Sequence, residues 1–94
     1  MEAKIIINEE GLSLSGSLSF KNVLQIWHES LSLFPDKAKF IIDLSEITHG
    51  DSAGLSLLID FLKWAELNKR EIKFINLPDQ LKIMAELAGV KDLL

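Results

Sequence analysis

The chain reads as a single α/β domain, a mixed β-sheet with covering helices in the order ββαβαβα. Two observations predict this. Hydrophobic periodicity switches along the chain between the alternation of strands and the i, i+3, i+4 spacing of helices. Helical stretches also separate the later strands, which implies right-handed crossovers and a parallel part of the sheet. Size agrees: 94 residues make one compact domain, residues 1–94, and folding removes roughly 64% of the unfolded chain's surface at this length. Hydrophobic residues make up 48% of the chain, enough for one core.

The first strand is Ala3 to Ile7, a short β-branched run stopped by Asn8-Glu9-Glu10-Gly11. Leu12-Ser13-Leu14-Ser15 alternates at period two, so both leucines share a face, and Gly16 closes this second strand of a hairpin. Phe20, Val23, Leu24, Trp27, Leu31 and Phe34 then recur at helical spacing, and are expected to form the core face of a helix capped by Ser17 or Ser19 and closed by Pro35. Ala38 to Leu44 is nearly continuously apolar, the pattern of a central strand covered on both faces. A second helix runs from near Ser52 to about Asn68, and Glu71 to Asn76 is the last strand. Pro78-Asp79 opens a third helix that Gly89 stops, with Val90 placed to pack back on its last turn.

Composition removes several function classes. Fourteen acidic against ten basic residues give a formal charge of −4, which excludes a uniformly basic nucleic-acid footprint. Without cysteine, disulfide scaffolds, thiolate metal sites and cysteine nucleophiles all disappear. The N-terminal apolar run is too short and too acidic for a secretory leader. Leu55 to Leu67, the most apolar window, is interrupted by Asp60, Lys63 and Glu66 and reads as a packed helix, not a membrane span. No phosphate-cradling glycine motif is present. His28 has no ligand partner at i+3 or i+4, so neither a metal nor a cofactor is expected.

The most informative segment is His49-Gly50-Asp51-Ser52-Ala53-Gly54-Leu55. Asp51 or Ser52 is suited to cap the second helix. Gly54 inside its first turns costs about 1 kcal/mol against alanine, which points to close approach by another backbone or a partner. His49, Asp51 and Ser52 are hydrolase residue types, yet they are nearly contiguous, whereas triads are assembled from distant positions. No catalytic residues are assigned.

The second helix bears two apolar stripes. Leu55, Leu58, Ile59, Leu62 and Ala65 form the expected core face; Leu57, Phe61 and Trp64 lie nearly opposite. Such a helix is either sandwiched or half-exposed to a partner. The second stripe is surplus to a small core and is expected to be a docking surface, with Leu77, Ile83 and Leu87 as an extension. Trp27 is expected either in the core or with one edge at that surface near Ser52.

Phe40-Ile41-Ile42-Asp43-Leu44-Ser45-Glu46-Ile47, followed by Asp51-Ser52-Ala53-Gly54-Leu55, resembles the signature of STAS domains, named for sulfate transporters and anti-sigma-factor antagonists. Leu12-Ser13-Leu14-Ser15-Gly16 and the Leu87-Ala88-Gly89-Val90 ending resemble that family too, so the likeness spans almost the whole chain. The short length and Trp27 resemble most the branch that serves as cytoplasmic STAS subunit of a phospholipid-transport ABC complex in Gram-negative bacteria. That resemblance implies a non-catalytic interaction module, peripheral to the inner membrane, that binds and supports the transporter's ATPase subunit in maintaining outer-membrane lipid asymmetry. The partner-binding residues expected are Trp27, Asp51, Ser52, Leu57, Phe61 and Trp64. In the antagonist branch the residue matching Ser52 is phosphorylated, and an acidic run follows the second strand's glycine. Gly16-Ser17-Leu18-Ser19 stands there instead, so the resemblance favours docking over a phosphorylation switch.

Overall fold

A computed structural model describes residues 3–94; Met1 and Glu2, at the start of the expected domain span, lie outside the described residues. The elements are β1 (Lys4–Asn8), β2 (Gly11–Leu18), α1 (Val23–Leu33), β3 (Lys39–Gly50), α2 (Ser52–Leu67), β4 (Glu71–Ile75) and α3 (Asp79–Leu87), followed by a 3-10 turn, Lys91–Leu93. Strand order is β1-β2-β3-β4. The β1-β2 pair is antiparallel, with Asn8 opposite Gly11, while β2-β3 and β3-β4 are parallel. The Asn8 side chain accepts from the amides of Glu10 and Gly11 (2.9 and 2.8 Å), which closes the hairpin turn.

Both parallel connections step in one direction across the sheet, so right-handed crossovers put α1 and α2 on the same face. That face carries Leu12, Leu14, Phe40, Ile42, Leu44, Ile72 and Phe74, all buried against Ile26 of α1, Leu58 and Phe61 of α2, and Leu81 and Ala85 of α3. The other face carries Ser13, Ser15, Ile41, Asp43 and Lys73 and is open or half-open to solvent. β3 is therefore central but covered on one face, not two. Its apolar run hides an alternation, because Ile41 sits on the open side between Phe40 and Ile42.

Two strands outrun their expected ends. β2 continues past Gly16 to Leu18, and β3 continues to Gly50, by pairing Ser17 with His49 and Leu18 with Gly50 across irregularities in the register. Gly16 does not end the strand; at φ 89° it supplies the left-handed backbone that lets the strand bend and pair on.

The face of α1 is also corrected. Its buried residues are Ile26 and Ser30, flanked by half-buried Val23, Trp27, Leu33 and Phe34. Phe20, Leu24 and Leu31 of the predicted core stripe are exposed, by 75%, 67% and 37%. The stripe sits off the true core face because a serine, Ser30, occupies a core position; its hydroxyl has no hydrogen-bond partner among the described residues. Neither Ser17 nor Ser19 caps the helix. Asn22 stands at the N-cap without a side-chain cap bond, and instead staples the preceding loop by accepting from the Ser19 amide (3.0 Å) and donating to the Ser17 carbonyl (2.6 Å).

Candidate docking surface

The loop from β3 into α2 is built around Asp51. Its Oδ1 accepts from the amides of Ala53 (2.9 Å) and Gly54 (3.1 Å), which satisfies two orphan donors of α2. Oδ2 accepts from the Phe20 amide at 3.3 Å, and the Asp51 amide donates to the Leu18 carbonyl at 3.1 Å. Both carboxylate oxygens are thus occupied by backbone, and Asp51 ties the start of α2 to the β2–α1 loop. A Cβ on Gly54 would stand 2.9 Å from the Leu18 carbonyl oxygen and 3.0 Å from the Leu18 Cβ. The close approach inferred from Gly54 is to this chain's own backbone, and it seats α2 directly on the end of β2.

Ser52 follows, exposed in the first turn of α2. The outward positions continue with Ser56, Asp60, Lys63 and Leu67. Between this face and α1 runs a groove in two connected parts. Near Ser52 a hollow of about 380 Å³ is lined by Val23, Leu24, Trp27, Ala53, Ser56, Leu57 and Asp60. Further along α2 a hollow of about 200 Å³ is lined by Trp27, Asp60, Lys63, Trp64 and Leu67. Trp27 and Asp60 belong to both.

The floor of the groove explains the second stripe of α2. Phe61 is 0% and Leu57 3% exposed. The Phe61 ring stacks on Trp27 (centroids 5.7 Å apart, planes at 23°) and meets Phe34 edge-on at 5.5 Å. Trp64, half-buried, packs on Phe34 at 4.5 Å, with the Arg70 guanidinium 5.6 Å from its ring. Arg70 also donates to the carbonyls of Pro35 and Lys37, at 2.8 and 3.1 Å, which pins that end of the α1–α2 pair. The expectation that Leu57, Phe61 and Trp64 form an exposed face is overturned for Phe61 and Leu57. α1 lies on them, because a four-stranded sheet is too narrow to bury α1 on the sheet alone.

Of the residues singled out from sequence, Trp27, Leu57 and Trp64 line the groove, Ser52 is exposed one residue before its lining residue Ala53, Asp51 is held in a cap, and Phe61 is interior. Phe20, Leu24, Asp60 and Leu67 are surface residues that sequence reasoning missed. Phe20 and Leu24 were visible as a helical stripe but assigned to the core; Asp60 was visible only as an interruption. Leu77 is half-buried, while Ile83 and Leu87 are exposed on α3 and line neither hollow. His28 is exposed on α1. His49 and Asp51 line a separate polar hollow with Ser17, Ser19, Lys21 and Asn22, but the Asp51 carboxylate there already serves backbone amides. No helix among the described residues is long and apolar enough to cross a membrane.

Comparison with known proteins agrees with this architecture. A solved structure described as "Crystal Structure Analysis of Mglu" superposes with a TM-score of 0.61 over 81% of this chain at 12% identity, a likeness of fold; the chain spans 19% of that structure's length. The "Intermembrane phospholipid transport system binding protein MlaB" of Haemophilus influenzae (strain ATCC 51907 / DSM 11121 / KW20 / Rd) is 34% identical over 86 residues, covering 86% of this chain and 81% of the relative. The family model "Mlab, STAS domain" matches residues 7–94. With the signature segment placed at the β3–α2 junction and the family model matching nearly end to end, the chain belongs to the STAS domain family and is MlaB-like.

Proposed function

We propose that the protein is a non-catalytic STAS subunit of a phospholipid-transport (Mla) ABC complex that maintains outer-membrane lipid asymmetry, and that it binds and supports the ATPase subunit, an MlaF-like protein, from the cytoplasmic side. The observation that carries the reading is the joining of two features on one surface. Ser52 of the family signature is exposed at the head of α2, next to Ala53, which lines the apolar groove together with Leu24, 67% exposed. Large apolar side chains displayed beside a half-buried tryptophan are what interface anchors look like. The MlaB relative supplies the transport system. The signature's carboxylate, Asp51, serves the fold, since it accepts from three backbone amides.

Purified protein and the ATPase subunit from the same organism test this by titration calorimetry. Leu24→Ala and Ser52→Glu are expected to weaken the complex while leaving the isolated domain's melting temperature close to the parent's. Truncating an anchor commonly costs about 2 kcal/mol or more of binding. Ser52→Glu adds a charge and bulk beside Asp51 at the contact, whereas Ser52→Thr is expected to bind like the parent. Unchanged affinity in both Leu24→Ala and Ser52→Glu refutes this surface.

A second reading, an anti-sigma-factor antagonist switched by phosphorylation, is favoured by the exposure of Ser52 at a helix start, where the dipole tolerates a phosphate. Phosphate on Ser52 in protein isolated from its own cells, together with absence of the ATPase from affinity-purified material, decides for it.

A further inference from the structure

Asp60 stands apart from the other charges around the groove. It lies midway along α2, exposed, and it lines both apolar hollows. The rest of the first hollow is Val23, Leu24, Trp27, Ala53, Ser56 and Leu57. Among the described residues its carboxylate makes no ion pair: the four that form join Lys39 with Glu71, Arg70 with Asp36, Lys82 with Asp79 and Lys91 with Glu86. Lys63, three residues on, lines the second hollow but does not close on Asp60. Across the groove the partly open Trp27 ring lines the same two hollows.

A carboxylate in this position has a consequence for whatever covers the groove. Docking an apolar surface over Leu24, Trp27 and Leu67 strips water from Asp60, and a desolvated carboxylate without a partner is strongly unfavourable. The groove therefore discriminates by charge: an occupant that is apolar throughout is penalised, and one with an acidic group at mid-groove is penalised more. An occupant with a cation at that point gains a charge-assisted bond to Asp60, and the neighbouring indole face adds to it.

Resting on the docking role proposed above, we infer that the segment of the ATPase subunit seated in the α1–α2 groove is apolar with one basic side chain, arginine or lysine, between two apolar contacts. One apolar side chain fills the hollow by Leu24 and Ser56, the cation meets Asp60 and Trp27, and a second apolar group covers Trp64 and Leu67. Small residues on the Ser52 side of α2, Ala53 and Ser56, let that segment approach closely. Ser52 then marks where the segment begins, and Asp60 sets its register and excludes acidic competitors.

The test is the affinity of the full-length protein for the purified ATPase subunit at several salt concentrations, for the parent, Asp60→Asn, Asp60→Lys and Leu24→Ala. The expected result is a loss of about tenfold for Asp60→Asn and about 100-fold for Asp60→Lys, with a flatter salt dependence in both. Charge reversal of each basic residue on the ATPase subunit is expected to find one whose defect Asp60→Lys relieves. If Leu24→Ala weakens the complex but both Asp60 variants bind like the parent, the groove is the docking site and the cation inference is wrong. If neither Leu24→Ala nor the Asp60 variants change affinity, or no complex forms, the docking surface itself fails and the inference with it. Melting curves of the isolated variants, expected to match the parent because Asp60 makes no side-chain hydrogen bond or ion pair among the described residues, keep a folding defect from imitating either outcome.

Discussion

Truncation of Phe61 separates core from surface more sharply than any other change on α2. The side chain is 0% exposed, so Phe61→Ala removes about 150 Å² of buried apolar surface, worth about 4 kcal/mol at about 25 cal/mol per Å². That agrees with the about 3–5 kcal/mol typical of a buried aromatic cut to alanine. The stack on Trp27 at 5.7 Å and the edge contact with Phe34 at 5.5 Å are lost as well. A domain of this size has about 5–14 kcal/mol of total stability, so this one substitution removes a large share of it. At about 4–8 °C per kcal/mol the midpoint falls by about 16–32 °C. Thermal melts followed by far-UV circular dichroism read the loss, and tryptophan emission from Trp27 and Trp64 provides a second probe of the same transition. Leu24→Ala, 67% exposed, is the matched control and is expected to stay within about 0.5 kcal/mol of the parent. A Phe61→Ala protein that melts with the parent would refute the packing argument, and loss of binding to the proposed ATPase partner in that variant would restore Phe61 as a direct contact.

Gly54→Ala is expected to destabilise the domain, although alanine gains about 1 kcal/mol in helix propensity, because the new methyl group meets the Leu18 carbonyl oxygen at 2.9 Å and must lift α2 off β2; a rise in urea midpoint contradicts this. Stability should also fall in acid through Asp43, whose carboxyl is held below its ordinary 3.8 first by the Asn76 side-chain amide and then by the Ser45 amide. A lowered folded-state pKa contributes stability that is fully present above the unfolded value and is lost as pH falls through the folded one. Asn76→Ala is therefore expected to lose stability at neutral pH and to flatten the acid dependence below about pH 4, read as urea midpoints across a pH series; a profile that keeps the parent's slope excludes Asn76 as the cause.

The order of elements was legible because each was announced by a local rule. Period-two leucines placed Leu12 and Leu14 on one buried face, and the Asp51-Ser52 pair announced a capped start of α2, where the structure chooses Asp51. The Leu55–Ala65 stripe predicted the side of α2 that faces the core, and Gly54 predicted a close approach. The last turn of α3 closes as Gly89 and Val90 foretell, with the Val90 amide donating back to the Ala85 carbonyl at 2.9 Å. What local rules missed was the reach of β2 and β3, since extension past Gly16 depends on a partner strand distant in sequence.

Local patterns along the chain encode the succession of strands and helices, the hairpin, a start of α2 capped by Asp51 or Ser52, and the family resemblance. Only the tertiary structure decided which apolar stripes are interior. Both α1 and α2 carry apolar residues on more than one side, and periodicity gives the angle between two stripes without saying which neighbour covers each. Packing α1 onto α2 buried Phe61 and Leu57, placed Ser30 in the core, and turned Phe20 and Leu24 outward. The same packing made the groove and brought Asp60 and Trp27, on separate helices, to line the same two hollows, a placement no local pattern encodes.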